Sequence, residues 1–162
     1  MASTLKVNTI QHTNGTTGLT VDSAGRVLLP QRVAFVGKKT DTTQYNGGAS
    51  TNVTFNVTDL AHASWNGTTF TVPVAGLYRL FINGHRQSLD NTATELMICK
   101  NGTAIETAYT LGISNIRPRA SCEALVVLTV NDAITFRVSQ GNVYAGGDTT
   151  SSGLMCSGYL IG

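Results

Sequence analysis

Apolar and polar residues alternate along most of this chain, in short runs divided by Asn-Gly pairs and Gly-rich breaks. The densest apolar stretch is Phe70 to Ile82, which reads FTVPVAGLYRLFI. From Gly76 onward the even positions Tyr78, Leu80 and Ile82 share one face of a strand. The odd positions Leu77, Arg79, Phe81 and Asn83 share the other. Both faces carry large apolar groups, so the strand is expected to be covered on both sides. Pro73 lacks an amide hydrogen and suits a bend or an edge rather than a central ladder. Gly76 then permits a sharp re-entry into the sheet.

The same pattern predicts strands elsewhere in the chain. Arg32 to Gly37 is one, followed by a loop over Lys38 to Ser50. Thr51 to Val57 alternates with Val53, Phe55 and Val57 on one face. Asp59 to Ser64 is ambiguous and has room for one helical turn. The central strand is expected to reach about Ser88, interrupted at Asn83-Gly84. Glu95 to Lys100 and Ala104 to Tyr109 form a hairpin about Asn101-Gly102, a strong two-residue turn signal. After a loop from Leu111 to Pro118 comes the longest strand, Ala120 to Val130. Cys122, Ala124, Val126, Leu128 and Val130 make one apolar face, and Leu125 and Val127 make the other apolar. Ile134, Phe136 and Val138 alternate cleanly after the Asn131-Asp132 turn. A Gly-rich loop over Gly141 to Gly153 precedes a closing strand, Leu154 to Ile161. No window has helical periodicity over three turns. The expected fold is therefore all-β, a ten-stranded antiparallel jelly-roll sandwich over residues 31–162.

Three stretches resemble C1q-like domains of the C1q/TNF superfamily. Phe70, five residues, then Gly76-x-Tyr78 is similar to that family's signature, except that Leu80 followed by Phe81 stands where an aromatic is usual. Val33-Ala34-Phe35-Val36-Gly37 resembles its first strand. Ser157-Gly158-Tyr159-Leu160-Ile161 resembles its last. The resemblance implies the same jelly roll and a homotrimer. Leu125 and Val127, with Tyr159 and Ile161, are the candidate subunit contacts.

Residues 1–30 follow a different plan. Leu5, Val7 and Thr9 alternate with Lys6, Asn8 and Ile10, Asn14-Gly15 makes a turn, and Leu19 and Val21 alternate with Thr20 and Asp22. Asp22-Ser23-Ala24-Gly25 turns before Val27, Leu28 and Leu29. Strands this short have no core of their own, and a segment for attachment or oligomerisation is expected. TLKVNTIQHTNGTTGLTVDSAGRV resembles the N-terminal segments of tailed-phage virion and tail-fibre proteins.

Composition narrows the function further. Only 12% of residues are charged, against about 25% in ordinary domains, so polar surface must come mainly from Thr, Ser and Asn. That suits a β-rich virion or secreted protein, and equally a subunit that hides much of its surface in an oligomer. A net charge of +2 with no basic run interleaved with aromatics gives nucleic-acid binding no support. No apolar run approaches the ~18 residues of a membrane helix. The N-terminus has no basic region leading into an apolar core, so no secretory leader is expected.

His12, His62 and His85 stand singly, without a second ligand at metal spacing. No Gly-x-Ser-x-Gly elbow, phosphate loop or zinc-protease motif occurs. Asp41, Asp59, Asp90, Asp132 and Asp148 are expected in loops or turns and form no calcium loop. No catalysis and no cofactor are expected. The N-x-Ser/Thr sites at Asn14, Asn52, Asn56, Asn66 and Asn101 read as turns and Thr-rich strands. Cys99, Cys122 and Cys156 are odd in number and sit in apolar strands, so buried free thiols are expected.

The expected role is a non-enzymatic virion protein, on the particle surface of a tailed phage. It would be a fibre or fibre tip, mounted on other virion proteins through residues 1–30 and presenting its head to a host-surface glycan or protein. A trimeric capsid decoration protein is the alternative, and a secreted C1q-like binding module a further one. Thirty extended residues reach at most ~100 Å, which excludes a long free-standing shaft. Recognition is expected on loops at the sheet ends, with Tyr45, Arg117, Arg119 and Tyr144 as anchors.

Overall fold

The alternation around Gly76 becomes one ten-residue strand, Gly76–His85, with neighbours on both sides. It belongs to a computed structural model that describes residues 7–29, 31–41, 44–46, 51–85, 93–111, 119–140, 142–144 and 153–161. The chain divides into two compact units between Val33 and Ala34.

The first unit holds three strands, β1 (Thr9–Gln11), β2 (Thr17–Val21) and β3 (Val27–Leu28), in an antiparallel meander. Its two turns fall where the Gly residues predict them. Gly15 and Gly25 both have left-handed backbones, with φ of 86° and 77°. Asn14 Oδ1 accepts the amide of Thr16, and Asp22 Oδ1 those of Ala24 and Arg26. None of the described residues from 7 to 29 is buried.

The second unit runs through β4 (Ala34–Lys39), β5 (Gln44–Asn46), β6 (Thr51–Asn52), β7 (Val57–Ala61), β8 (Thr69–Thr71), β9 (Gly76–His85), β10 (Ala93–Lys100), β11 (Thr103–Leu111), β12 (Arg119–Leu128), β13 (Ala133–Gln140), β14 (Asn142–Tyr144) and β15 (Leu154–Leu160). One five-stranded sheet has the order β12-β9-β15-β4-β7. The other has β11-β10-β13-β6, with β8 also on β13. All of these pairs are antiparallel. Two sheets of five give the ten-stranded sandwich expected, and no described residue is helical.

The core lies between the sheets. Phe35, Tyr78, Leu80, Ile82, Leu128 and Leu154 come from the first. Phe70, Leu96, Ile98, Ile134, Phe136 and Val138 come from the second, and all are inaccessible or nearly so. Phe35 stacks on Trp65 with centroids 4.5 Å apart and meets Phe70 at 4.8 Å. The Tyr78 hydroxyl donates to the Val74 carbonyl at 2.7 Å, which satisfies the polar end of a buried ring. Asn101 and Gly102 both have positive φ, 51° and 86°, the two-residue turn that joins β10 to β11.

Five local expectations are corrected. The stretches 38–50 and 141–153 are not simply loops, because β5 and β14 pair with each other out of them. Thr51 to Val57 is not one strand. Its middle is extended but leaves the ladder, with the Val53 amide on the Phe136 carbonyl and the Phe55 amide on that of Gly67. The ambiguous stretch after it is strand as far as Ala61, which places Asp59 in β7, and then a turn with the Trp65 amide on the His62 carbonyl. Asn83-Gly84 does not interrupt β9, since Gly84 lies between Ala120 and Leu154. Finally, β12 ends at Leu128, and Val130 is exposed beyond it.

Candidate self-association face

The outer face of the β12-β9-β15-β4-β7 sheet is built by the odd positions of β9. Leu77, Arg79, Phe81 and Asn83 point away from the core side that carries Tyr78, Leu80 and Ile82. Register sets their neighbours. Arg79 lies between Leu125 on β12 and Tyr159 on β15, and Phe81 between Glu123 and Ser157. Val36 on β4 lies beside Ser157, and Leu60 on β7 beside Val36. Val127 is opposite Leu77, and the Ile161 amide donates to the Leu77 carbonyl at 2.8 Å. An apolar surface thus crosses all five strands.

The expectation that both faces of β9 and β12 are covered holds on the inner side only. Leu125 is 64% exposed and Val127 is 68% exposed in the single chain, and Leu60 and Ile161 are exposed too. Large apolar groups clustered this way mark an interaction surface. The four candidate contacts, Leu125, Val127, Tyr159 and Ile161, are brought together here.

Two residues at the centre carry charge. Arg79 donates Nε to Glu123 Oε1 at 2.7 Å, Nη2 to Oε2 at 2.8 Å and Nη1 to the Tyr159 hydroxyl at 3.3 Å. The hydrogen bonds from Glu123 and then Tyr159 push the Arg79 guanidinium further up, and the Arg79 bond pulls the Glu123 carboxyl down. The pair is fixed and charged, with no net charge of its own. A cavity of about 240 Å³ opens beside it, lined by Arg79, Phe81, Ser157 and Tyr159. At the β7 edge, Lys38 pairs with Asp59. Arg79, Glu123, Phe81 and Ser157 were not among the predicted contacts. The signal for the first two was a charge placed singly within an apolar strand, Arg79 between Tyr78 and Leu80 and Glu123 between Cys122 and Ala124.

The recognition anchors among the described residues lie on β5, β14 and the start of β12. Tyr45 and Tyr144 lie on the two strands of the small β14-β5 sheet, where Tyr45 is opposite Val143; their side chains are outside the described residues. Arg119 is exposed at the start of β12, opposite His85. Arg117 is outside the described residues. Among the described residues, no group of three or more His, Cys, Asp or Glu side chains is placed to hold a metal ion. The three cysteines are free and buried.

Neither a protein-family model nor a curated protein sequence matches the chain. Solved structures do. The globular domain of zebrafish complement 1qA protein is similar over 81% of this chain and 98% of its own, at 18% identity and a TM-score of 0.62. Murine APRIL at pH 5.0 is similar over 78% and 98%, at 12% identity and a TM-score of 0.56. At these identities the likeness concerns the backbone alone: the chain has a C1q/TNF-like jelly-roll fold.

Proposed function

We propose that this protein is a non-enzymatic, homotrimeric surface appendage of a tailed-phage virion, mounted by residues 1–30 and presenting its jelly-roll head to the host. The observation that carries the trimer is the apolar outer face with Leu125 and Val127 at its most exposed points. A single chain offers nothing in the described part of the head to cover it. Three copies around an axis bury it in a closed assembly. The phage setting is supported by the N-terminal phrase and by the separation of that segment from the head. Tyr45, Arg117, Arg119 and Tyr144 are the proposed host contacts.

Sedimentation of the pure protein tests the trimer. Three chain masses are expected, and one chain mass, with monomeric 17.1 kDa protein at micromolar concentration, would reject it. Leu125→Arg with Val127→Arg should yield a folded monomer. Imaging of particles tests the location: threefold density on the tail supports the appendage, whereas density on the capsid favours decoration. A protein absent from purified particles favours the secreted binding module.

A further inference from the structure

The three-stranded sheet at the N-terminus has two unlike faces. Register places Ile10 opposite Leu19 and Val21 opposite Val27. Leu19 and Val21 are two apart on β2, so Ile10, Leu19, Val21 and Val27 share one face. Leu29 follows two residues after Val27. On the other face Thr9 is opposite Thr20, and Thr20 is opposite Leu28. The register shift between Ile10 and Gln11 brings Thr17 opposite Gln11, and their side chains are hydrogen-bonded at 3.1 Å. That irregularity keeps Thr17 off the apolar face, where its parity with Leu19 would otherwise put it.

We infer that this apolar face is closed by the same face of the two sister copies, as a three-sided β-prism. The inference rests on the trimer proposed above. Ile10, Val27 and Leu29 are each more than half exposed. With the half-buried Leu19 and Val21 they offer on the order of 400 Å² per copy, about half the ~800 Å² per partner of a stable complex. So small a surface holds a freely diffusing partner weakly. It suffices when the partner is already present at an effective concentration of order millimolar, as between copies joined through their heads. Charge does not oppose the association. The ionic side chains of β1 to β3 and their turns are Asp22 and Arg26, which pair with each other at 2.7 Å. The other face, with Thr9, Thr20 and the exposed Leu28, then points outward with the strand edges, free to dock on the particle.

Two variants of the full chain test this, Val27→Cys on the apolar face and Thr20→Cys on the polar one. The native thiols are buried, so a bulky maleimide reads the new cysteine. In the isolated trimer Val27→Cys should label at least ten times more slowly than Thr20→Cys. It should also form disulfide-linked dimers under mild oxidation, which Thr20→Cys should not. A trimer in which both label at similar rates overturns the inference and leaves the trimer standing. So does a Val27→Cys thiol that becomes protected only on particles, because another protein then covers the face. A monomeric full chain overturns both readings.

Discussion

Arg79 grips Glu123 from the neighbouring strand with two parallel hydrogen bonds, at 2.7 and 2.8 Å, in the middle of an otherwise apolar face. The two side chains are 47% and 45% exposed in the single chain, so solvent screens the pair and it adds little to the fold. In the proposed trimer, burial by neighbouring copies would change its weight. A paired charge enters an interface as a unit, whereas a single one is left uncompensated. Glu123→Ala should therefore keep the melting temperature of the isolated head nearly unchanged and weaken self-association on the order of a hundredfold. Arg79→Leu combined with Glu123→Leu should restore it. Sedimentation across a concentration series reads both. If Glu123→Ala associates as tightly as the native chain, this face is not the one covered.

Gly158 has no room for a side chain. A Cβ there would stand 2.5 Å from Phe35 Cε1 and 2.9 Å from Leu80 Cδ2, both in the core. Gly158→Ala should destabilise the head by about 1–3 kcal/mol or more, through overpacking. Gly102→Ala is a different case. Its Cβ would meet only the end of Arg137 at 3.9 Å, but φ is 86°, so about 1 kcal/mol of backbone strain is expected. Urea midpoints of the two variants should rank in that order. Equal midpoints would mean that Phe35 moves aside freely.

That glycine also explains what the sequence could reveal. Ser157-Gly158-Tyr159 is legible as a motif because Phe35 needs the space that Gly158 leaves, and Phe35 lies in the first-strand motif. The β9 alternation and the Asn101-Gly102 turn were equally legible, being local consequences of side-chain parity and positive φ. The β5–β14 pair was not. It joins short polar stretches far apart in the chain, whose contact depends on the sandwich already being formed. Nor could parity say whether anything covers Leu125 and Val127. An apolar residue facing a second sheet and one facing another copy look identical in sequence. The Arg79–Glu123 pair was hidden for a related reason, since their contact requires the register between β9 and β12.

Acid should weaken the head through Asp132. Its carboxylate is nearly buried and accepts from Lys100 at 2.8 Å, from the Thr129 amide and hydroxyl at 2.8 and 2.9 Å, and from Asn101 at 2.8 Å. The Lys100 bond first, then the Thr129 amide, hold it well below the ordinary carboxylate range. A carboxyl depressed in the folded state stabilises above its unfolded value and loses that contribution as pH falls toward its folded one. Glu123 is depressed too, but solvent screens its pair with Arg79, so it adds little to this acid dependence. Urea midpoints should hold steady near neutrality and fall below about pH 4. Asp132→Asn should be less stable at neutral pH and show a shallower acid slope. An unchanged slope would remove Asp132 from the account.

The cysteines should report global unfolding. Burial pushes the Cys122 thiol up to about 11, raises Cys156 well above the ordinary value and raises Cys99 as well. The thiolate is the reacting species, so at about pH 8 roughly one Cys122 in a thousand would be reactive even if reagent could reach it. A bulky maleimide reaches none of the three while the sandwich is closed, since all are buried. Native protein should therefore resist labelling, and in urea all three thiols should react along the same transition as the loss of Trp65 burial. Labelling at Cys99 or Cys122 ahead of that transition would reveal an opening on the β10 and β12 side, separate from global unfolding. Early labelling at Cys156, which lies between Ile82 on β9 and Gly37 on β4, would contradict the packing of the first sheet itself.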